Sequence, residues 1–178
     1  MLDSMSGRQA RVSLAAGFTL IELMVTLVVA AVILGIAVPN FTGLVNSSRL
    51  TAQANELVTG IQLARSEAIK LNRTVNFCGS ADGTNCAAAG DWTRWVVRSA
   101  NDVLHTGEIN PATQVNADNN VIAFRPDGLA RLANGNLAAV TVTVCMAVAR
   151  PAQNIRQVTL ANGSRTNVAA VDGQGACP

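Results

Sequence analysis

The stretch GFTLIELMVTLVVAAVILGIAVP, residues 17–39, decides the fold of this chain. It is almost entirely apolar, and its one charged side chain is Glu22, near its start. As a helix that rises ~1.5 Å per residue, Phe18 to Val38 would be about 30 Å long, the thickness of the hydrocarbon core of a bilayer. The stretch therefore predicts a membrane-spanning helix with an unexplained carboxylate near one end.

The segment before this stretch predicts the orientation of the helix. It is polar and carries Arg8 and Arg11 against a single acid, Asp3. A basic segment favours retention on the cytoplasmic side, so the residues after the span are expected to be translocated. An ordinary secretory signal has its cleavage site after the apolar core, whereas here a glycine precedes it.

The helix is preceded by Gly17 and opens with Phe18-Thr19-Leu20-Ile21-Glu22. This pattern resembles the processing site of type IV prepilins, a class that includes the pseudopilins of type II secretion. The resemblance implies that a peptidase cuts between Gly17 and Phe18, and that Phe18 is then N-methylated. It makes Glu22 the assembly residue and Pro39 the proline that kinks the pilin helix.

The same resemblance implies partners and a location. The partners are a prepilin peptidase and methyltransferase, inner-membrane lipid before assembly, and other major and minor pilins in a filament. The chain would cross the inner membrane once, with a cytoplasmic N-terminus and a periplasmic head, and later enter a pilus or pseudopilus. Residues 1–17 would be the leader peptide, and residues 18–39 the transmembrane and filament-core helix.

Physical chemistry gives Glu22 a role beside the resemblance. An ionised carboxylate in hydrocarbon costs at least about 2–3 kcal/mol, so it needs a partner. Cleavage would create one, the amino group of Phe18, four residues away on the same predicted helical face. The amine of a neighbouring subunit could approach the same carboxylate and set the axial register of the filament. The alternative is a glutamate that reaches the membrane surface.

Residues 40–72 are predicted to continue the helix as an amphipathic half. Pro39 predicts a kink or local melting around Gly35 to Gly43, and Asn72 is the expected stop. We expect the apolar stripe to be core, with Arg49, Gln53, Glu56, Glu67 and Lys70 on other faces. The stripe recurs at spacings of three and four: Leu50, Ala54, Leu57, Val58, Ile61, Ala64, Ala68 and Leu71.

Residues 73–178 are predicted to form a β-rich head. Turns are expected at Asp82-Gly83, at Pro126-Asp127-Gly128 and at Asn134-Gly135. Antiparallel sheets packed on the long helix would make an α+β pilin fold. Six segments alternate with a period of two and are predicted strands: residues 74–78, 93–97, 121–124, 140–146, 155–160 and 165–169, the last two as a hairpin closed at Asn162-Gly163-Ser164.

The head resembles one branch of the class, the FimT/FimU minor pilins and GspH pseudopilins. Three segments carry the resemblance: Trp95-Val96-Val97, Phe124-Arg125-Pro126-Asp127-Gly128, and residues 156–165. They match a tryptophan strand, an F-x-P-x-G turn and a terminal strand pair with a glycine. Trp95 and Phe124 are predicted core residues, and Gly128 is a predicted turn position. The loops at 79–91 and 98–120 do not follow the family pattern.

The four cysteines all lie in the predicted head. If the head is exported, disulfides can form and persist. Cys78 and Cys86 bracket a short loop, and Cys177 could join Cys145 to staple the tail across the sheet. Three pairings are possible, and we favour Cys78–Cys86 with Cys145–Cys177.

The sequence disfavours an enzyme. It has no G-x-S-x-G elbow and no phosphate loop, and its one histidine, His105, is predicted to be a surface residue at a strand end. No C-x-x-C pair is present, so we expect no metal and no cofactor. The net charge of +2 is too slight to indicate a nucleic-acid partner by itself.

These features predict a minor pilin of a type IV pilus that helps to initiate or connect pilus assembly, for twitching motility or adhesion. One alternative is a GspH-like pseudopilin for protein secretion. Another is a DNA-binding minor pilin of natural transformation, with Arg150, Arg156 and Arg165 as contacts. DNA-binding FimT proteins resemble one another in a G-R-x-R pattern, whereas this chain has Gly163-Ser164-Arg165-Thr166. DNA is therefore the weaker alternative.

Overall fold

The computed structural model describes residues 17–87, 92–100, 102–132 and 134–178. The predicted leader, apart from Gly17, lies outside the described residues, as does the side chain of Pro39. The chain divides into two compact units, Met1–Pro39 and Asn40–Pro178. The elements are α1 (Leu20–Leu71), β1 (Val75–Ser80), β2 (Arg94–Ser99), β3 (Asp102–Glu108), β4 (Gln114–Ala117), β5 (Val121–Phe124), β6 (Ala130–Arg131), β7 (Val140–Cys145), β8 (Ile155–Ala161) and β9 (Arg165–Val171).

Helix α1 ends where the sequence predicts. Asn72 adopts a φ of 49°, in the left-handed region, and the N–H of Arg73 donates to the carbonyl of Ala68 at 3.3 Å. This is the closing bond of a Schellman-type cap, and asparagine tolerates its left-handed position. Helical structure continues through Pro39, so the predicted local melting does not occur there, while the kink stays a prediction.

The head buries the apolar stripe of α1, as predicted. The stripe residues Val58 and Leu71 are partly buried against the same core. One prediction was wrong, because Gln53 is also buried, for a reason given below. The fully buried helix residues are Leu50, Ala54, Leu57, Ile61, Ala64 and Ala68, and they belong to one cluster with Phe77, Trp92, Trp95, Phe124, Val142 and Val158.

Two antiparallel sheets form the rest of the head. Sheet A has the order β3-β2-β1-β5-β6, and sheet B has the order β4-β7-β8-β9. Both sheets contribute buried apolar side chains to the cluster that includes the helix stripe. This architecture confirms the predicted α+β class and pilin fold.

The inner strands were predicted and several edge strands were not. Valines 140, 142 and 144 are buried on one face of β7, as their alternation predicts. The strands that sequence reasoning missed are β3, β4 and β6, and each lies at an edge of its sheet. Edge strands carry polar side chains because only one neighbour covers them, so their period-two pattern is weak.

The closing hairpin also ties the two sheets together. Asn162 and Gly163 both have positive φ, and the N–H of Ser164 donates to the carbonyl of Ala161, the geometry of a type I′ turn. The carbonyl of Gly163 accepts from the N–H of Ala130 in sheet A at 2.7 Å, and its N–H donates to the carbonyl of Ala138 at 2.8 Å. The tip of sheet B is therefore hydrogen-bonded to the edge of sheet A.

We predict that Gly163→Ala destabilises the protein more than Gly135→Ala. Both glycines have positive φ, at 69° and 85°, so both variants incur a backbone cost of about 1–2 kcal/mol. A Cβ at Gly163 would also lie 2.6 Å from the carbonyl oxygen of Ala130, whereas a Cβ at Gly135 meets nothing within 4 Å. We expect an additional loss of about 1–3 kcal/mol for Gly163→Ala alone.

Thermal unfolding of the mature chain in non-ionic detergent measures this difference. Equal losses for the two variants would contradict the inter-sheet role of the hairpin tip.

Candidate assembly site

Thr19 caps the start of α1. Its carbonyl accepts the first helical hydrogen bond, from the N–H of Leu23 at 3.1 Å, and its hydroxyl oxygen accepts from the N–H of Glu22 at 3.2 Å. The spacing T-x-x-E, with a bond from the third helical N–H to the capping side chain, is that of a capping box. Sequence reasoning missed this role, although the spacing alone could have indicated it.

The cap places Glu22 in the first turn of the helix. A carboxylate is stabilised there because the unpaired N–H groups and the helix dipole make that end positive. Phe18 was predicted to lie on the same helical face as Glu22, but the helix begins at Leu20, so Phe18 lies before the cap. Phe18 and Thr19 lie between Gly17 and the first residue of the helix.

Beyond the cap, the first half of α1 exposes its apolar side chains on every face. Each large apolar residue from Phe18 to Val38 is at least 51% exposed in the isolated chain. This helix is long and apolar enough to cross a membrane. A surface of this kind needs lipid or other helices around it, because a soluble protein does not expose so large a contiguous apolar area.

A polar network fixes the second half of α1 to the head. The indole Nε1 of Trp95 donates to Oε1 of Glu56 at 3.1 Å, and the backbone N–H of Asn110 donates to Oε1 of Gln53 at 2.8 Å. The amide of Gln53 also donates to Glu56 at 3.4 Å. These bonds explain why Gln53 is buried, since its polar atoms are satisfied by the head rather than by water.

The structure contains the disulfide pairing that we favoured, Cys78–Cys86 and Cys145–Cys177. Inside the first loop, Asp82 accepts hydrogen bonds from the backbone and side chain of Asn85 and from the backbone of Thr84, and these bonds hold its pKa far below the usual range. Its carboxylate therefore stays ionised and organises the loop.

The second disulfide anchors the C-terminal tail together with a buried asparagine. The side-chain amide of Asn154 donates to the carbonyls of Met146 and Ala176, and its oxygen accepts from the N–H of Gly173 at 2.9 Å. Cys145 points away from the valines of its strand, yet it is buried. The bond from Cys145 to Cys177 brings the tail against that face.

The three candidate DNA-contacting arginines are not brought together. Arg156 is buried, and its guanidinium donates to the carbonyl oxygens of Gln153 and Ile155 and to Oγ of Ser47 on α1. Arg156 is therefore not available as a surface DNA contact, because its side chain shares the inner face of sheet B with Val144.

The other two arginines are exposed but lie apart from this position. Arg165 pairs with Ala161, and Arg156 pairs with Ala170. The ladder between them is therefore about 17 Å long at ~3.3 Å per residue. Arg150 precedes the other end of β8, and its carbonyl accepts from the side chain of Asn46 at 3.1 Å. A phosphate backbone attracts clustered cations most strongly, and these are spread along the sheet.

His105 lies within β3 rather than at a strand end, and its Nε2 is 3.8 Å from Oε1 of Glu67 on α1. The prediction of a strand-end surface residue was wrong in position, because β3 is an edge strand that the sequence pattern did not indicate. Among the described residues, no group of three or more histidines, cysteines and acids could hold a metal ion.

Comparison with known families gives two matches. Residues 53–164 match the family described as type II transport protein GspH, over more than half of the chain. Residues 13–38 match the prokaryotic N-terminal methylation motif. A search of curated proteins finds no match.

Among solved structures, the chain is similar in fold to the type IV minor pilin FimU of Pseudomonas aeruginosa. One crystal form has 18% identity and a TM-score of 0.50, over 69% of this chain and 90% of that one. The minor pseudopilin EpsH of Vibrio cholerae has 12% identity and a TM-score of 0.42, over 68% of this chain and 97% of that one. At these identities the first likeness indicates the fold, and the second carries no argument.

Proposed function

The chain belongs to the GspH family of type II transport proteins, and from this premise we propose that it is a minor pilin of a type IV pilus, which helps to initiate or connect pilus assembly. The observation that supports the proposal is one ionisable residue, Glu22, in the first turn of a helix whose first half is otherwise uncharged, almost entirely apolar and exposed. The family is one of structural pilins and pseudopilins.

The proposal begins with processing between Gly17 and Phe18. The methylation-motif match spans this point and supports it. Cleavage there would leave Phe18 and Thr19 ahead of the helix and a cationic, N-methylated amine within reach of the first turn. Residues 1–17 would be the discarded leader.

Assembly would then relieve the cost of a carboxylate in hydrocarbon. In the membrane, the partial positive charge of the helix N-terminus and the amine of the same chain would offset only part of this cost. In a filament, the amine of a neighbouring subunit would approach Glu22 while the apolar half of α1 packs against other apolar helices. The head would lie in the periplasm, where its two disulfides persist.

A second candidate function, a pseudopilin of type II secretion, is favoured by the description of the family that matches the chain. Both candidates require the same processing site and apolar helix. They are separated by a deletion strain, because loss of surface filaments or twitching indicates the pilus, and loss of an exported protein indicates secretion.

We predict that Gly17→Val abolishes processing. A peptidase that cuts after glycine must fit the residue into its site, and a β-branched side chain would exclude it. Mass spectrometry of the membrane fraction should show the unprocessed chain for Gly17→Val and a mature N-terminus at Phe18 for the wild type. Gly35→Val is the matched control, since a Cβ at Gly35 meets nothing within 4 Å. A mature Gly17→Val chain would contradict the assignment.

We predict that Glu22→Ala and Glu22→Gln are processed and remain in the membrane, but enter sheared filaments at least about tenfold less. The loss corresponds to about 1.4 kcal/mol, less than the cost of an unpaired carboxylate in hydrocarbon. Thr26→Ala is the control, because Thr26 is a polar, uncharged residue one turn further along the same helix. Normal incorporation of both Glu22 variants would exclude the assembly role.

For the DNA alternative, we predict that the mature chain does not shift double-stranded DNA at physiological salt. Arg156 is engaged with backbone carbonyls, and Arg165 and Arg150 lie towards opposite ends of the terminal hairpin. An electrophoretic shift that weakens with salt, and that disappears in Arg150→Ala with Arg165→Ala, would support DNA binding instead.

A further inference from the structure

The outer face of sheet A is divided by the first disulfide loop. Cys78 points to this face, and its bond to Cys86 holds residues 79–86 over the β1–β2 side. Arg98 on β2 donates to the carbonyl of Thr84 and to the side chain of Asn85, both at 3.1 Å, which fixes the loop there. The β5–β6 side of the same face remains open.

The open side forms a cleft of about 390 Å³. Its floor contains the small side chain of Ala123 and the amide of Asn76, which are neighbours across β1 and β5. Two arginines, Arg125 and Arg131, line it together with Asn119. We call this the basic cleft, and it is lined by residues 74, 76, 119, 121, 123, 125, 131 and 132.

The two arginines are placed to act on one ligand. Arg131 pairs with Ala123, and the N–H of Arg125 bonds the carbonyl of Leu129, so the arginines are diagonal neighbours on one face of β5 and β6. Diagonal neighbours lie about 7–8 Å apart at the backbone, within reach of long side chains. Their guanidinium groups can therefore approach a bound group from two directions.

One of these guanidinium groups is held in place and the other is available. Arg131 donates to the carbonyl of Gly135 at 3.1 Å and to Asp127 at 3.4 Å. Its buried Nε–H has no partner among the described residues. The guanidinium of Arg125 makes no hydrogen bond within the part of the chain that the structure describes. The cleft thus combines one guanidinium that is held by hydrogen bonds with one whose donors are not engaged within the described residues.

The carboxylates near the cleft do not cancel its positive charge. Asp127 accepts a hydrogen bond from the N–H of Leu129, which with Arg131 holds its pKa below the usual range, so it is ionised and offsets one arginine. The carboxylate of Asp118 does not count toward the cleft, because both of its oxygens accept from the N–H of Thr141. One arginine charge therefore remains uncompensated in the cleft.

We propose that this basic cleft binds a phosphate group. A tetrahedral anion suits two guanidinium groups that approach from different directions, whereas a planar carboxylate is satisfied by one bidentate guanidinium. The amides of Asn76, on the floor, and of Asn119 supply further donors. One site with two arginines is a single-phosphate site and does not provide the several contacts that duplex DNA needs at physiological salt.

The phosphate can come from a free ion or from a lipid headgroup, and the test separates the two. The mature chain, labelled with ¹⁵N in non-ionic detergent micelles that carry no phosphate, is titrated with sodium phosphate at constant ionic strength against sodium chloride. A second titration adds phosphatidylglycerol to the micelles. The expected result is a saturable shift of the N–H resonances of Asn76 and Ala123 in one titration or both.

Variants test whether the basic cleft is the site that binds the phosphate. Arg125→Gln should weaken the affinity at least about tenfold, because it removes a charge-assisted hydrogen-bond donor to the anion. Arg165→Gln, an exposed arginine on β9, is the matched control and should leave the affinity unchanged. Non-saturable shifts in both titrations, or equal affinities for Arg125→Gln and the wild type, would overturn the proposal.

Discussion

Burial of one stripe of α1 against two sheets is the interaction on which the rest of the head depends. The buried apolar residues of α1 belong to one cluster with buried residues of both sheets, so the helix stripe is part of the core that the two inner faces share. Gly60 shows how close the helix comes, because a Cβ there would lie 2.7 Å from the ring of Phe77. The polar bonds from Trp95 and Asn110 to the helix then fix its rotation, which a purely apolar contact would leave loose.

The sequence predicts those parts of the fold in which burial of one face imposes a regular spacing of apolar residues. The helix stripe and the valines of β7 alternate because one face meets the core, so both were found. Strands β3 and β4 lie at sheet edges and carry residues such as Asp102, His105 and Gln114, so no apolar period marks them. The prediction for Gln53 was wrong for a different reason. Its polar side chain is buried because the tertiary fold supplies hydrogen-bond partners for it, and the sequence alone does not show them.

The same distinction applies to the candidate site. Glu22 and the residues before it could be identified from the sequence because the signal is local: a single charge lies next to a long apolar run. Thr19 is equally local, and its cap was missed only because the motif was interpreted as a processing signal. Arg156 could not be placed from sequence, because a basic residue on a strand is exposed or buried according to which face meets the helix. Its partner Ser47 lies far away in the chain.

The first half of α1 is apolar on every face, and for this reason a single charge, Glu22, would matter for assembly. Helices that are apolar on every face can slide along one another at little cost, since each register buries a similar area. A single polar group in such a seam favours the register that gives it a partner and penalises all others, as a buried asparagine does in a coiled coil. The cap at Thr19 fixes where the helix starts, and so would fix the height of Glu22 relative to Phe18, the N-terminus that the proposed cleavage would create. The contacts between apolar helices would supply the adhesion of a filament, and the distance between one amine and one carboxylate would supply its spacing.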